Sequence, residues 1–331
     1  MKNRKLKFFT LCIALLPVFV ALLPAAFLEA DAAALTRTWD GGGATNNWSE
    51  AANWTGDSVP TSSDDIVFDG TSTKDATVDI AVGINRININ TGYTGTISIA
   101  DGMSLTTTGG DSSQSDGAIN VGNGSLSFGS TNSFVLNGGT INGGNGTISF
   151  FFFFTINGGN FNGADATVPS ISLAGPVIIA NGGNFIAPES LTVRGLEVAV
   201  SAGFDHNNGT IVTIGGNSAF VSSSARTLNN LTVSNNNDGG ISTNANTTVV
   251  GTLTLNDGLI NSGTLRALGP VSISPNFGSV SQGGGGGDLL IESGPGARTI
   301  DFQAGTRLPN VRINDPNVSI VSSVSGTVDT D

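Results

Sequence analysis

One phrase, alternating apolar and hydroxyl residues and closed by a turn, recurs along this chain and constrains its fold more than any other feature. It reads Gly251-Thr252-Leu253-Thr254-Leu255-Asn256-Asp257-Gly258, with variants at 95–99, 124–128, 146–150 and 209–213. Apolar side chains two apart bury one face of a strand. Asn, Asp and Gly then supply the positive-φ positions of tight turns. With strand centres at Ile87, Leu105, Leu126, Ile148, Ile171, Leu191, Ile211, Leu231, Leu253, Ile273, Ile291 and Val311, the spacing runs from 18 to 23 residues. A period held over such a length predicts a solenoid.

Leucine-rich repeats share the period, but their Asn-bearing L-x-x-L-x-L phrase and helical return are missing. The expected fold is therefore all-β: a parallel β-helix (β-solenoid) of about 20 residues per coil, with an N-terminal Trp-containing cap. A single coil buries little. Stacked coils bury a continuous apolar column and pair one another's backbone groups. About twelve coils at about 4.8 Å would make a rod of roughly 60 Å. The composition agrees: 47 glycines and 11% charged residues accompany 38% hydrophobic residues, which are spaced rather than clumped. Gly, Asn and β-branched residues throughout disfavour helix.

Residues 1–34 read as a secretory signal. Lys2, Arg4, Lys5 and Lys7 precede the apolar run Phe8 to Leu28, and Ala30-Asp31-Ala32 and Ala32-Ala33-Ala34 offer small residues for cleavage. The lone cysteine, Cys12, lies inside that run, so the exported part has no thiol and needs an extensive core instead of disulfides. Beyond Ala34, nine Lys plus Arg face 23 Asp plus Glu, a balance near −14, and Lys74 is the one lysine. Without clustered cations, nucleic acid is not an expected partner.

Residues 35–70 stand apart from the repeats at 71–331. They hold all three tryptophans, in Thr38-Trp39-Asp40-Gly41-Gly42, Asn46-Asn47-Trp48-Ser49 and Ala51-Ala52-Asn53-Trp54, followed by Pro60 and Asp64-Asp65-Ile66-Val67-Phe68. This order resembles the opening module of large secreted bacterial β-repeat proteins, the autotransporter- and filamentous-haemagglutinin-like β-helix adhesins. Phe204-Asp205-His206-Asn207-Asn208-Gly209-Thr210 and Asn230-Leu231-Thr232-Val233 resemble recurrent phrases of the same group. The resemblance implies a secreted, cell-surface fibre, often adhesive, with no defined catalytic residues and no cofactor. Its expected partners are host-cell or matrix glycans and proteins, or further copies of itself. Residues 318–331 continue the Ser/Val/Thr pattern without a sorting phrase, apolar anchor or barrel strands. The repeats therefore read as truncated, with membrane attachment expected only through the signal segment or a missing C-terminal anchor.

Several residues invite chemistry. Trp39, Trp48 and Trp54 could form an aromatic platform for a glycan or bury themselves in the cap. Phe150 to Phe154 is a run of five phenylalanines. A strand must turn some of them outward, so Phe151, Phe152 and Phe153 are either covered by a neighbouring loop or form an exposed apolar patch. The run Gly283 to Gly287 suggests a loop bulging between coils. His206 follows Asp205, an acid–base pairing in principle, yet its neighbours Asn207, Asn208 and Gly209 mark a turn. Polysaccharide lyases and hydrolases of the β-helix type gather Asp, Lys and Arg on one face. Here Arg194, Arg226, Arg266, Arg298, Arg307 and Arg312 are scattered, and Arg226 and Arg312 need not share a face. Asn-Gly-Gly-Asn at 142–145, 157–160 and 181–184 carries amides where calcium needs carboxylates, so no metal site is expected. Thr106-Thr107-Thr108 hints at an ice-binding face, but the outward positions read as a free alternation of Thr, Ser, Asn and Arg.

Overall fold

The computed structural model describes residues 35–322, apart from 130, 164–170, 181, 216–219, 223, 236–238, 244–245, 275, 278–285, 295–297 and 303–309. Residues 1–34, expected to be a secretory signal, most of the 283–287 glycine run and residues 323–331 lie outside the described residues. Strands account for nearly all regular structure, and a single 3₁₀ turn at Ala51–Asn53 is the described helical element.

Each turn of the chain lays down three short strands. One such turn comprises Phe134–Leu136, Thr140–Asn142 and Thr147–Phe150. The next begins with Phe154–Ile156 and Asn160–Asn162 and enters the longer strand Ile171–Ile179. Every pair of these strands is parallel and joins equivalent positions one turn apart. On the first face Phe134 pairs with Phe154, and Phe154 with Val177. On the second face the column runs Ile119, Ile141, Phe161, Phe185. On the third it runs Leu105, Leu126, Ile148, Ile171. The chain is a parallel β-solenoid.

The period-two pattern explains the interior. Strands such as Ser125–Phe128 alternate half-buried and buried residues, so the apolar member always points inward. Successive coils align those members into columns, and each fully buried Leu, Ile, Val or Phe contributes about 1.5–3 kcal/mol. Phenylalanines stack along the column: Phe161 lies on Phe185 at 4.9 Å and 10°.

Eight of the strand centres expected from sequence, from Leu105 to Leu253 with Ile171 and Leu191 among them, follow one another on the third face. Ile87 lies on the first face instead, and Ile291 and Val311 lie on the second. Leu253 pairs with Val271, so Ile273 is one inward position off the column. All three faces carry an apolar centre at the same period, and spacing alone does not tell them apart.

Corners and edges are built from glycine and asparagine. Gly139 has φ +72°, and a Cβ there would lie 2.5 Å from the carbonyl oxygens of Asp116 and Gly117, one coil away. Asn142 donates through Nδ2 to Asn120 Oδ1 at 2.7 Å, Asn157 to Asn137 at 3.0 Å and Asn184 to Asn160 at 2.9 Å. These contacts make amide ladders between rungs.

The second face is interrupted once. Its seven-stranded ladder ends at Gly203–Asp205, and a five-stranded ladder starts at Arg226–Leu228. Arg226 occupies the inward column shared by Thr247 and Leu265. Its guanidinium donates to the carbonyl of Ala199 at 2.7 Å, and burial lowers its pKa.

The tryptophan segment forms the first, irregular coil. Thr36–Thr38 pairs with Asp65–Phe68, and Asn47 bridges Thr77, so residues 35–70 stack directly on the first regular turn. From Leu35 onward the chain is one compact unit.

Candidate functional site

The three tryptophans converge on Phe68. Trp39 and Trp54 meet edge to face at 5.1 Å, Trp48 and Trp54 at 4.5 Å, and Phe68 lies within 6.0 Å of all three rings. Trp39 Nε1 donates to Lys74 O, and Trp54 Nε1 donates to Trp48 O. All three side chains are 0% exposed. A stacking platform needs an open ring face, so of the two readings of Trp39, Trp48 and Trp54 the structure gives burial as cap core, and the glycan platform is corrected. Their large contact area closes one end of the interior.

Polar groups shape the loop around this cluster. Lys74 Nζ donates to Gly43 O at 2.7 Å, Asn53 Oδ1 at 3.0 Å and Gly41 O at 3.2 Å. Buried Asn53 donates through Nδ2 to the carbonyls of Thr45 and Asn47. The Thr45 hydroxyl, with the N–H groups of Thr45 and Ala44, holds the Glu50 carboxyl below its usual range. Burial of Asp64 opposes its charge. The N–H and hydroxyl of Thr61, the N–H of Leu35 and the Arg37 guanidinium outweigh that and lower its pKa. Burial and Asp75 raise the Tyr93 pKa. These groups form a fold-building network, and their partners are chain atoms.

The phenylalanine run turns a corner between the third and first faces. Phe150 and Phe154 point inward, while Phe151, Phe152 and Phe153 remain 42%, 40% and 37% exposed. Phe152 and Phe153 pack edge to face at 4.6 Å. They are the largest side chains exposed side by side on the described surface.

His206 and Asp205 serve the turn. Asn208 N donates to His206 Nδ1 at 2.9 Å, Asn207 N donates to Asp205 Oδ1 at 2.8 Å, and both asparagines have positive φ. The arginines are partly regrouped by the fold. Arg226 and Arg312 share the second face after all, but Arg312 stands in the outward column of Arg266 and Leu290. Arg266 is paired with Glu292, and Arg312 with Asp288 at 3.7 Å. Among the described residues no three His, Cys, Asp or Glu side chains converge as a metal site would require.

One arrangement was missed in the sequence. On the third face the outward positions are not a free alternation. Register aligns Thr106, Ser127, Ser149, Ser172, Thr192, Val212, Thr232, Thr254 and Ser272 in one rank. Two residues earlier on each strand stand Ser104, Ser125 and Thr147, then Ser190, Thr210 and Asn230. Of the threonine triplet only Thr106 joins a rank, because Thr107 is buried and Thr108 donates to Ile84 O. The signal was the repeated hydroxyl–apolar–hydroxyl triplet. It becomes a surface only once the register is known.

No protein-family model, curated protein or solved structure matches this chain.

Proposed function

We propose that the chain is a secreted, cell-surface β-solenoid acting as an adhesive fibre segment or structural stalk, without catalysis. The observation that carries this reading is the stacking of short parallel coils, rung on rung, on a closed aromatic cap. Such a stack is stiff along its axis and presents repeated shallow faces rather than a single deep site. The leader pattern at 1–34 and the tryptophan phrases support export and an envelope location. An acidic, cation-poor exterior supports a protein or glycan partner over nucleic acid.

The test pairs two measurements on the purified protein. Attachment to cells and to immobilised matrix glycans is expected, together with no loss of polymer length in alginate or polygalacturonate. Depolymerisation of either acidic polysaccharide would replace this reading with a β-helix lyase or hydrolase.

A further inference from the structure

We propose that the third face docks on the surface of a neutral, ordered polysaccharide solid, a reading that rests on the non-catalytic surface role above. The face carries one rank of register-aligned positions from Thr106 to Ser272, interrupted by Val212, and a shorter parallel rank two residues earlier, Ser104, Ser125 and Thr147, then Ser190, Thr210 and the amide of Asn230. Nine strands give eight rung intervals, so the longer rank extends about 40 Å at about 4.8 Å per rung, with about 6.7 Å between ranks. The outward positions of the other two faces do not hold one chemistry. The first face runs Asn88, Ser113, Val135, Thr155, Ile178, Glu197. The second passes from asparagine ladders to Arg266, Leu290 and Arg312.

Three features narrow the partner. No charged residue stands in either rank, and the exposed Arg194, two residues after Thr192 in the middle of the strand Ser190–Val198, borders them. An acidic polysaccharide or an anionic lipid would find a single counter-charge, Arg194, at the border of ranks about 40 Å long. The ranks also contain no aromatic ring on which a single sugar could stack. Hydroxyls that exchange water for a sugar hydroxyl gain at most about 0.5–1.5 kcal/mol each, so one flexible chain in solution binds poorly. A partner whose own hydroxyls are fixed by a lattice loses little freedom on contact and engages many positions at once. Among the described residues, the side-chain hydrogen bonds of the ranks centre on Asn230, which donates through Nδ2 to Thr210 Oγ1 at 3.3 Å and accepts through Oδ1 from Thr252 N at 2.8 Å. The remaining hydroxyls can therefore both donate and accept toward a partner.

A second copy of the chain fits less well. At about 40 Å by about 6.7 Å the ranks cover about 270 Å², roughly a third of what each partner of a stable protein interface buries, and apart from Val212 the positions are polar.

The experiment measures partition of the protein onto microcrystalline cellulose. Wild type is compared with a third-face variant, Ser127→Lys/Thr192→Lys/Thr232→Lys, and a first-face variant, Val135→Lys/Thr155→Lys/Ser242→Lys. Ser127→Ala/Thr192→Ala/Thr232→Ala serves as a milder third-face variant in case lysines disturb the fold, and circular dichroism checks all of them. Wild type and the first-face variant are expected to bind alike, while the third-face lysine variant falls by about tenfold or more, as loss of multivalent contact predicts. Absence of wild-type binding overturns the proposal, as does equal binding by both lysine variants. Capture by ice instead of cellulose, or a dimer that the third-face lysines dissociate, also overturns it. If cellulose binding fails while attachment to cells persists, the face proposal falls and the surface-protein reading stands. If acidic polysaccharides are depolymerised, that reading falls instead.

Discussion

Phe150 and Phe154 stack inside the solenoid with ring centroids 4.0 Å apart and planes 2° from parallel, although only three residues separate them. The chain rounds a corner between them, carrying Phe151, Phe152 and Phe153 outside. Five identical residues therefore have two different environments. Phe154→Ala is expected to cost about 3–5 kcal/mol through lost burial and a cavity, whereas Phe152→Ser should change stability by less than about 0.5 kcal/mol. Chemical denaturation of the two variants checks the difference, and equal effects would contradict the corner geometry.

The Lys74 ammonium ties the tryptophan loop through three acceptors, Gly41 O, Gly43 O and Asn53 Oδ1. Lys74→Met keeps the stem but leaves those acceptors without their donor, at a cost of about 1–3 kcal/mol. The loss should be local. Hydrogen exchange is expected to quicken across residues 40–54 while the strands from 104 onward keep their protection.

Asp64 gives the cap a dependence on acidity. Despite burial, its pKa is lowered by Thr61, Leu35 and Arg37. A group with a depressed folded pKa stabilises the fold fully above its unfolded value of about 3.9 and loses that contribution as pH falls through the folded value. The denaturation midpoint of the protein should therefore drop on acidification below about pH 4. Asp64→Asn, weaker at neutral pH, should show a shallower drop. A parallel decline in both proteins would remove Asp64 from the explanation.

Glycine at the corners answers to stacking as well as to backbone angle. Gly102 has φ +73° with nothing within 4 Å of where an added methyl group would sit, whereas Gly139 at φ +72° faces two carbonyl oxygens of the coil beneath. Gly102→Ala should show only left-handed strain of about 1 kcal/mol. Gly139→Ala adds a steric collision and should destabilise further. Thermal melting of the pair separates the two contributions.

Much of the architecture was legible because each coil repeats one local rule. Leu105, Leu126 and Ile148 announce the period, and alternation around them announces which side is buried. The same rule hid the assignment of faces, since Ile87 and Val311 satisfy it on other sides of the coil. The fate of Trp39, Trp48 and Trp54 depended on what packs over them, which composition does not reveal. Arg226 at an inward position was equally invisible, because nothing local marks it as different from Arg266. The hydroxyl ranks required the register of nine strands at once, a long-range property with only a short-range trace.

The stacking of equivalent positions one turn apart is most directly tested by disulfide formation in a Cys12→Ser background. Ser127 and Ser149 are register partners on adjacent rungs, so cysteines there should have Cα atoms about 4.8 Å apart, within disulfide range. Thr147 lies on the same rung as Ser149 but diagonally displaced, about 8 Å from Ser127, beyond that range. Mass spectrometry under non-reducing conditions should find the 127–149 pair closed and the 127–147 pair open. Closure of the 127–147 pair, or free thiols in both, would contradict the stacked solenoid.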